Sequence, residues 1–276
     1  MRILRTALLV ALVVGVSVSA LAKADAPLID AVRSGDVSVV RALLDQGADV
    51  EGAAADGSTA LQWAVHEGRA ALVELLLGAG ADVTATNRYG VGPASLAAEN
   101  GNASILERLL DAGVDPDTTM PGGETLLMTA THSGSAAVIE QLLAAGADVN
   151  TAEQGRGQTA LMWAVAQRHP DVVEALLAHQ PDVHARSDVR TEVVKTSPEP
   201  WNPDYIIDLL QGGYTPLLFA ARVGDLDSAR LLVAAGADVN DTAPYGTSAT
   251  VVAAHSGHGE LAAFLLEQGA DPNAAG

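Results

Sequence analysis

Apolar and polar positions recur with a fixed beat along most of the chain. A Leu-rich stretch closes on a small polar turn ending at Asp49, Asp82, Asp115, Asp148, Asp182, Asp238 and Asp271, at intervals of 33, 33, 33, 34, 56 and 33 residues. Between these marks runs a second pattern, seen in Gly57-Ser58-Thr59-Ala60-Leu61-Gln62-Trp63-Ala64-Val65 and again from Gly157 to Val165 and from Gly213 to Ala221. Each unit is predicted to hold two short helices. Thr59, Thr159 and Thr215 stand where a hydroxyl caps the first, and Gly68, Gly101, Gly134, Gly224 and Gly257 break the chain before the second. Gly47, Gly80, Gly113, Gly146, Gly236 and Gly269 then terminate the second helix, because glycine enters the left-handed region without a Cβ clash.

This unit resembles the ankyrin repeat, which carries Gly-x-Thr-Pro-Leu-His near its start and Leu-Leu-x-x-Gly-Ala-Asp near its end at the same period. The resemblance covers 25–276, with repeats near 25–56, 57–89, 90–122, 123–156, 157–186, 213–245 and 246–276. It implies an all-α solenoid of about seven helix-turn-helix repeats with one long inter-repeat insertion at 187–212, stabilised by repeat and neighbour terms rather than one central core. The family's histidine is replaced by Gln62, Ser95, Met128, Met162, Leu218 or Val251. Its local hydrogen-bonding role is therefore not carried over, and hydrophobic packing between repeats is expected in its place.

The two ends read differently from the middle. Asp25 and Pro27 can open a capped first helix that exposes Asp30 and Arg33 and turns Leu28, Ala31 and Val32 towards the next repeat. At the far end Leu261, Ala262, Phe264, Leu265 and Leu266 keep the internal pattern without polar replacement. Either another chain stacks on this uncapped repeat, or the sequence is shortened, or the last repeat frays. Ahead of the repeats, Arg2 and Arg5 precede an apolar run from Ala7 to Val18 and then small residues, the order of a secretory signal peptide over 1–22. Ala22, Ala24 and Ala26 all offer cleavage sites. The run is too short and too interrupted for a stable membrane anchor after cleavage. An exported protein is expected, in the periplasm first and the extracellular space next.

Composition narrows the function. Asp plus Glu outnumber Lys plus Arg by 34 to 15, a net charge of −19, and cysteine is absent. Disulfide scaffolds, thiolate metal sites and cysteine nucleophiles are excluded. Nucleic acid is a poor partner, since duplex affinity rests on neutralising phosphates. The Gly-Ala-Asp aspartates recur once per layer, roughly 10 Å apart, too far for paired acid and base chemistry, and read as turn residues. His66, His132 and His255 share one register two and three repeats apart, too distant to share a metal ion. His179 and His184 with Asp182 make at most a weak metal site. No Gly-x-Ser-x-Gly is present, and Gly155-Arg156-Gly157 lacks the Lys and Ser/Thr of a phosphate loop. Asn102 and Asn240 fit the glycosylation sequon, though Asn102 also suits a helix cap. No cofactor or metal is called for.

One ladder of side chains points elsewhere. A helical wheel turns Leu61, Ala64 and Val65 inward and places Trp63 about 200° from Leu61. Through the repeats that position reads Trp63, Leu96, Thr129, Trp163, Phe219 and Val252, and the resemblance assigns it to the concave surface. Tyr89 and Tyr245 precede repeat glycines, at loop tips that flank that surface in the family. The rings either offer contact area to a partner or pack along the stack with only their edges exposed. In the insertion, Ser197-Pro-Glu-Pro-Trp201-Asn-Pro203 is expected to be extended. Asn202 and Pro203 then look like the start of a short helix over 204–211 that presents Tyr205, Ile206, Leu209 and Leu210. A folded insertion would bury Trp201 against its neighbouring repeats; the alternative is a free loop. Gln180-Pro181 replaces Gly-Ala just before it, which suggests altered helix termination.

These readings converge on a non-enzymatic module that binds a protein or peptide through Trp63, Tyr89, Trp163, Trp201, Phe219 and Tyr245. Family resemblance supplies the binding role, and the net charge either suggests a basic partner or simply maintains solubility. Two other classes stay open: an envelope protein that binds divalent cations, and an enzyme built on Asp188, Glu192, Lys195, Glu199, Asp204 and Asp208 of the insertion.

Overall fold

The computed structural model describes residues 27–195 and 206–274. Helix pairs follow one another along the chain: α1 (Pro27–Ser34) with α2 (Val37–Asp45), α3 (Ala60–His66) with α4 (Ala70–Gly78), α5 (Pro93–Glu99) with α6 (Ala103–Asp111), and α7 (Leu126–Ser133) with α8 (Ala136–Ala144). Then come α9 (Ala160–Gln167) with α10 (Pro170–Leu177), α11 (Pro216–Val223) with α12 (Leu226–Ala234), and α13 (Ala249–His255) with α14 (Gly259–Glu267). Between adjacent pairs the main contacts run from first helix to first helix and from second to second, so the molecule is two parallel rows of helices joined within each pair. Helices of seven to nine residues are too short to persist alone in water. Their stability comes from the buried seam between the rows, where Leu61, Val65, Leu76, Ile105, Leu109, Leu127, Leu142, Leu161, Leu176, Leu217, Leu232 and Leu265 are all but inaccessible.

Capping follows the sequence closely. Thr59, Thr159 and Thr215 accept the N3 amide at the heads of α3, α9 and α11, and Thr125 and Ser248 do the same for α7 and α13. Such a cap contributes about 1 kcal/mol. The predicted terminating glycines lie at positive φ. In the fifth pair the same conformation is kept without glycine: Arg168 and Gln180 adopt φ of 62° and 54°. The expected change of helix termination at Gln180-Pro181 is therefore a change of residue type with the turn retained. What is lost is one hydrogen bond. Ala147 donates to the Leu142 carbonyl after α8, and its counterpart Pro181 has no N–H to donate.

The repeating aspartates are turn residues. Asp49, Asp82, Asp115, Asp148, Asp182, Asp238 and Asp271 each accept the amide two positions on, at 2.8 to 3.0 Å. Four of these turns are strapped to the preceding one, as Glu51, Asp117, Asn150 and Asn240 accept the backbone amides of Asp82, Asp148, Asp182 and Asp271. The same geometry occupies Asn240 of one sequon, while Asn102 of the other caps α6.

The family's histidine position is filled in two ways. Met128, Met162 and Leu218 are fully buried, as the packing expectation required. Gln62 instead keeps a hydrogen-bonding role, contrary to expectation: its amide donates to the carbonyls of Ala85 and Val91 at 3.1 and 2.7 Å, and its Oε1 accepts the Thr59 amide. At the N-terminal end Leu28, Ala31 and Val32 are buried and Asp30 and Arg33 exposed, as predicted. In the last pair Leu261 and Leu265 are buried, whereas Leu266 is exposed.

The insertion departs from the helical reading. Ile206–Gln211 is a β-strand (β2), paired antiparallel with β1 (Arg190–Lys195) in the register Arg190 to Gln211 through Lys195 to Ile206. The helix expected over 204–211 is not formed in its described part. The adjacent β-branched residues Val193-Val194 and Ile206-Ile207 favour strand, and pairing satisfies the backbone groups that a lone short helix would leave open at its ends. Gly212 turns the chain out of β2 at φ 92°. The Trp201 expectation lies outside the described residues.

Candidate functional site

The ladder position falls on the first-helix row, and its residues are not equivalent. Trp63, Leu96 and Trp163 are half-buried, whereas Thr129, Phe219 and Val252 are buried. The tryptophan rings pack edge-on against histidines: Trp63 against His66 of its own helix and Trp163 against His132 of α7, at centroid distances of 6.0 and 5.2 Å. Arg33 lies over the Trp63 ring at 4.8 Å. Both indole Nε1 atoms are covered and lack an acceptor. His132 is held in turn by the Gln167 amide at 2.7 Å.

Trp163 and Phe219 border two adjoining cavities, of about 360 and 420 Å³. Arg156, Gln158 and Arg190 line both and so mark the boundary. Trp163, Pro121, Glu124 and Glu153 complete the first. Tyr214, Phe219, Arg222, Ser187, Asp188 and the base of the hairpin complete the second. Phe219 is only 3% exposed and contributes from beneath: its ring meets Tyr214 edge-on at 5.7 Å, and the Arg222 guanidinium lies over both rings. The hairpin base is fixed by backbone bonds. Ser187 donates to Tyr214 O, Gly213 donates to Ser187 O, and Asp188 donates to Arg156 O at 2.7 Å.

The remaining residues singled out from sequence lie apart. Trp63 borders a separate cavity of about 160 Å³ with Asp56, Gln62, His66, Asn87 and Leu96. Asp56 is held below the usual carboxylate range there, chiefly by the Ser58 amide and then by the Ser58 hydroxyl, with burial opposing. Tyr89 projects from its loop, 73% exposed. Tyr245 touches the hairpin, its hydroxyl oxygen accepting the Leu210 amide at 3.0 Å. Arg156, Arg190, Tyr214 and Arg222 were not anticipated as site residues. A signal for two of them existed, since Tyr214 precedes the capping Thr215 and Arg222 follows Phe219 by three, on one helix face. Arg190 entered the site only through the strand pairing.

Two stacked helix rows with cavities along the first row define a helical repeat scaffold. The comparisons with known proteins agree with that class. The family model for ankyrin repeats matches residues 5–87, 94–187 and 192–275. The chain belongs to the ankyrin repeat family. Among solved structures, the ankyrin repeat domain of Bcl-3, described as a unique member of the IkappaB protein family, is 26% identical, with a TM-score of 0.69 over 88% of this chain and 98% of that one. The human ASB11 ankyrin repeat domain gives a TM-score of 0.70 at 24% identity, over 89% and 99%. No match is found among curated proteins. Ankyrin repeat domains are generally protein–protein interaction modules and are typically non-catalytic.

Proposed function

We propose that this chain is a non-enzymatic, exported module that holds a protein or peptide on the concave side of its solenoid, formed by the first-helix row and the loop tips. The observation that carries the reading is the pair of adjoining cavities between Trp163 and Phe219, walled on one side by the hairpin. Rigid rings with little rotamer freedom to lose are effective contact surface. The family's general role supports binding over catalysis. Export to the periplasm or beyond is supported by the leader alone, with Arg2 and Arg5 ahead of its apolar run. The cation-binding reading has no comparable support, as no group of three His, Asp or Glu among the described residues is placed to hold a metal.

Site-specific photo-crosslinking tests this. A photoreactive residue placed at Tyr89 or Arg156 should trap a protein from envelope extract, while one at the exposed outer-helix positions Glu107 or Glu174 should not. Crosslinks from the outer positions alone would move the binding face and reject the reading. Fractionation of the producing cell, with sequencing of the mature amino terminus, tests export.

A further inference from the structure

The chain is acidic overall, yet the cavity beside the hairpin has the opposite character. Arg156 from the loop before α9, Arg190 from the first position of β1 and Arg222 from the last turn of α11 line it together, against the single carboxylate of Asp188. All three arginines are exposed. Elsewhere Arg69, Arg108, Arg186 and Arg230 each meet a carboxylate. Among the described residues, no guanidinium hydrogen bond or ion pair to protein is formed by Arg156, Arg190 or Arg222.

Two features prepare these groups for an anion. Arg222 holds its guanidinium over Tyr214 and Phe219, its central carbon 5.3 and 5.1 Å from the ring centroids, a cation–π seat that leaves its N–H groups without an oxygen acceptor. In the adjoining cavity Glu153 is turned to the backbone amides of Gly155, Arg156 and Gln158, and Glu124 accepts the Thr129 hydroxyl. Neither glutamate is within salt-bridge distance of Arg156 or Arg190.

We propose that the two cavities take an acidic peptide segment, its carboxylates at Arg156, Arg190 and Arg222 and an apolar side chain against Trp163. This deepens the peptide-binding reading above and rests on it. A planar carboxylate matches the arginine fork in two parallel hydrogen bonds. An extended polyanion would carry its remaining charges against a surface rich in Asp and Glu, whereas a peptide with one or two carboxylates keeps its charge inside the pocket. Net charge acts on a partner at long range, but the groups it touches decide the fit.

The test is fluorescence anisotropy on the full chain with three labelled Gly/Ser peptides, centred on Glu-Leu-Glu, Gln-Leu-Gln and Lys-Leu-Lys. The Glu peptide should bind at least about tenfold more tightly than the others, and Arg190→Gln with Arg222→Gln should abolish that preference at unchanged helicity. Arg230→Gln, on the outer row, should leave it intact. Tighter binding of the Lys peptide, lost in Trp163→Ala, would overturn the acidic assignment while sparing the concave-face reading. Binding of every peptide unaffected by Trp163→Ala and by the arginine variants would overturn both. Displacement of the Glu peptide by an equal concentration of inorganic phosphate would assign the pocket to a free anion and end the peptide proposal.

Discussion

Arg186 reaches across the base of the insertion to Asp241, Nη2 to Oδ1 at 2.8 Å, while its Nη1 donates to the carbonyls of Gly213 and Thr242 at 2.9 Å each. One guanidinium thereby joins the segment entering the hairpin, the segment leaving it and the loop of the following helix pair. The Asp241 side chain is only 11% exposed and its second oxygen has no partner.

Removing Arg186 leaves that carboxylate partly desolvated and unpaired. Arg186→Gln is expected to lower stability by roughly 1–3 kcal/mol, read from the urea midpoint of helical ellipticity. Asp241→Asn added to it should recover part of the loss. An unchanged midpoint in the single variant would show that the bridge is ornamental.

Gly212 is confined by its surroundings as well as by its φ. A Cβ there would stand 1.9 Å from the Asp188 carbonyl oxygen, a backbone atom that cannot swing away. Gly212→Ala should therefore loosen the hairpin from its seat and leave the helix rows intact. Hydrogen exchange should rise over β1 and β2 with little change over α9 and α11; equal protection in both proteins would refute this.

Gln180 is exposed and holds a left-handed conformation that costs an L-residue roughly 1 kcal/mol. Its siblings in the other pairs are glycines. Gln180→Gly should stabilise the chain by about 0.5 kcal/mol after the extra unfolded-state freedom of glycine is counted, visible as a higher melting temperature. A lower one would mean that the Gln180 side chain contributes more than its strain.

Helix boundaries, caps and turn glycines were legible because each is set by residues next to one another in the chain, and the period repeats the same local choice. The hairpin was not. Residues 206–211 carry the apolar spacing of a short helix as well as that of a strand, and the choice was made by Arg190–Lys195, a partner on the far side of the insertion. The aromatic ladder was found by helical geometry, but how far each ring is covered is set by side-chain placement around it, by Tyr214 and Arg222 of the same stretch for Phe219 and by His132 of α7 for the half-buried Trp163. Gln62 shows the same limit, since its two carbonyl partners belong to the next loop.

Acid should weaken the turns. The Thr84 hydroxyl, and after it the Thr84 amide, hold the Asp82 carboxyl below its ordinary value of 3.8, and Ser38 does the same for Asp36. A depressed folded-state pKa means stability that is complete well above 3.8 and lost as pH falls through the folded value. The melting temperature should be nearly level close to neutrality and fall below about pH 4. Asp82→Asn keeps the acceptor and removes the proton uptake, so its slope in that window should be shallower; identical slopes would place the acid sensitivity elsewhere.

Ser187 and Gly213 are hydrogen-bonded to each other at the mouth of the insertion, and α11 packs on α9 as any first helix packs on the one before. The solenoid is thus blind to the length of what lies between them. That seam is a splice point where an insertion can be lengthened, exchanged or deleted without resetting the pitch of the stack, so this segment can change at a rate uncoupled from the scaffold that carries it.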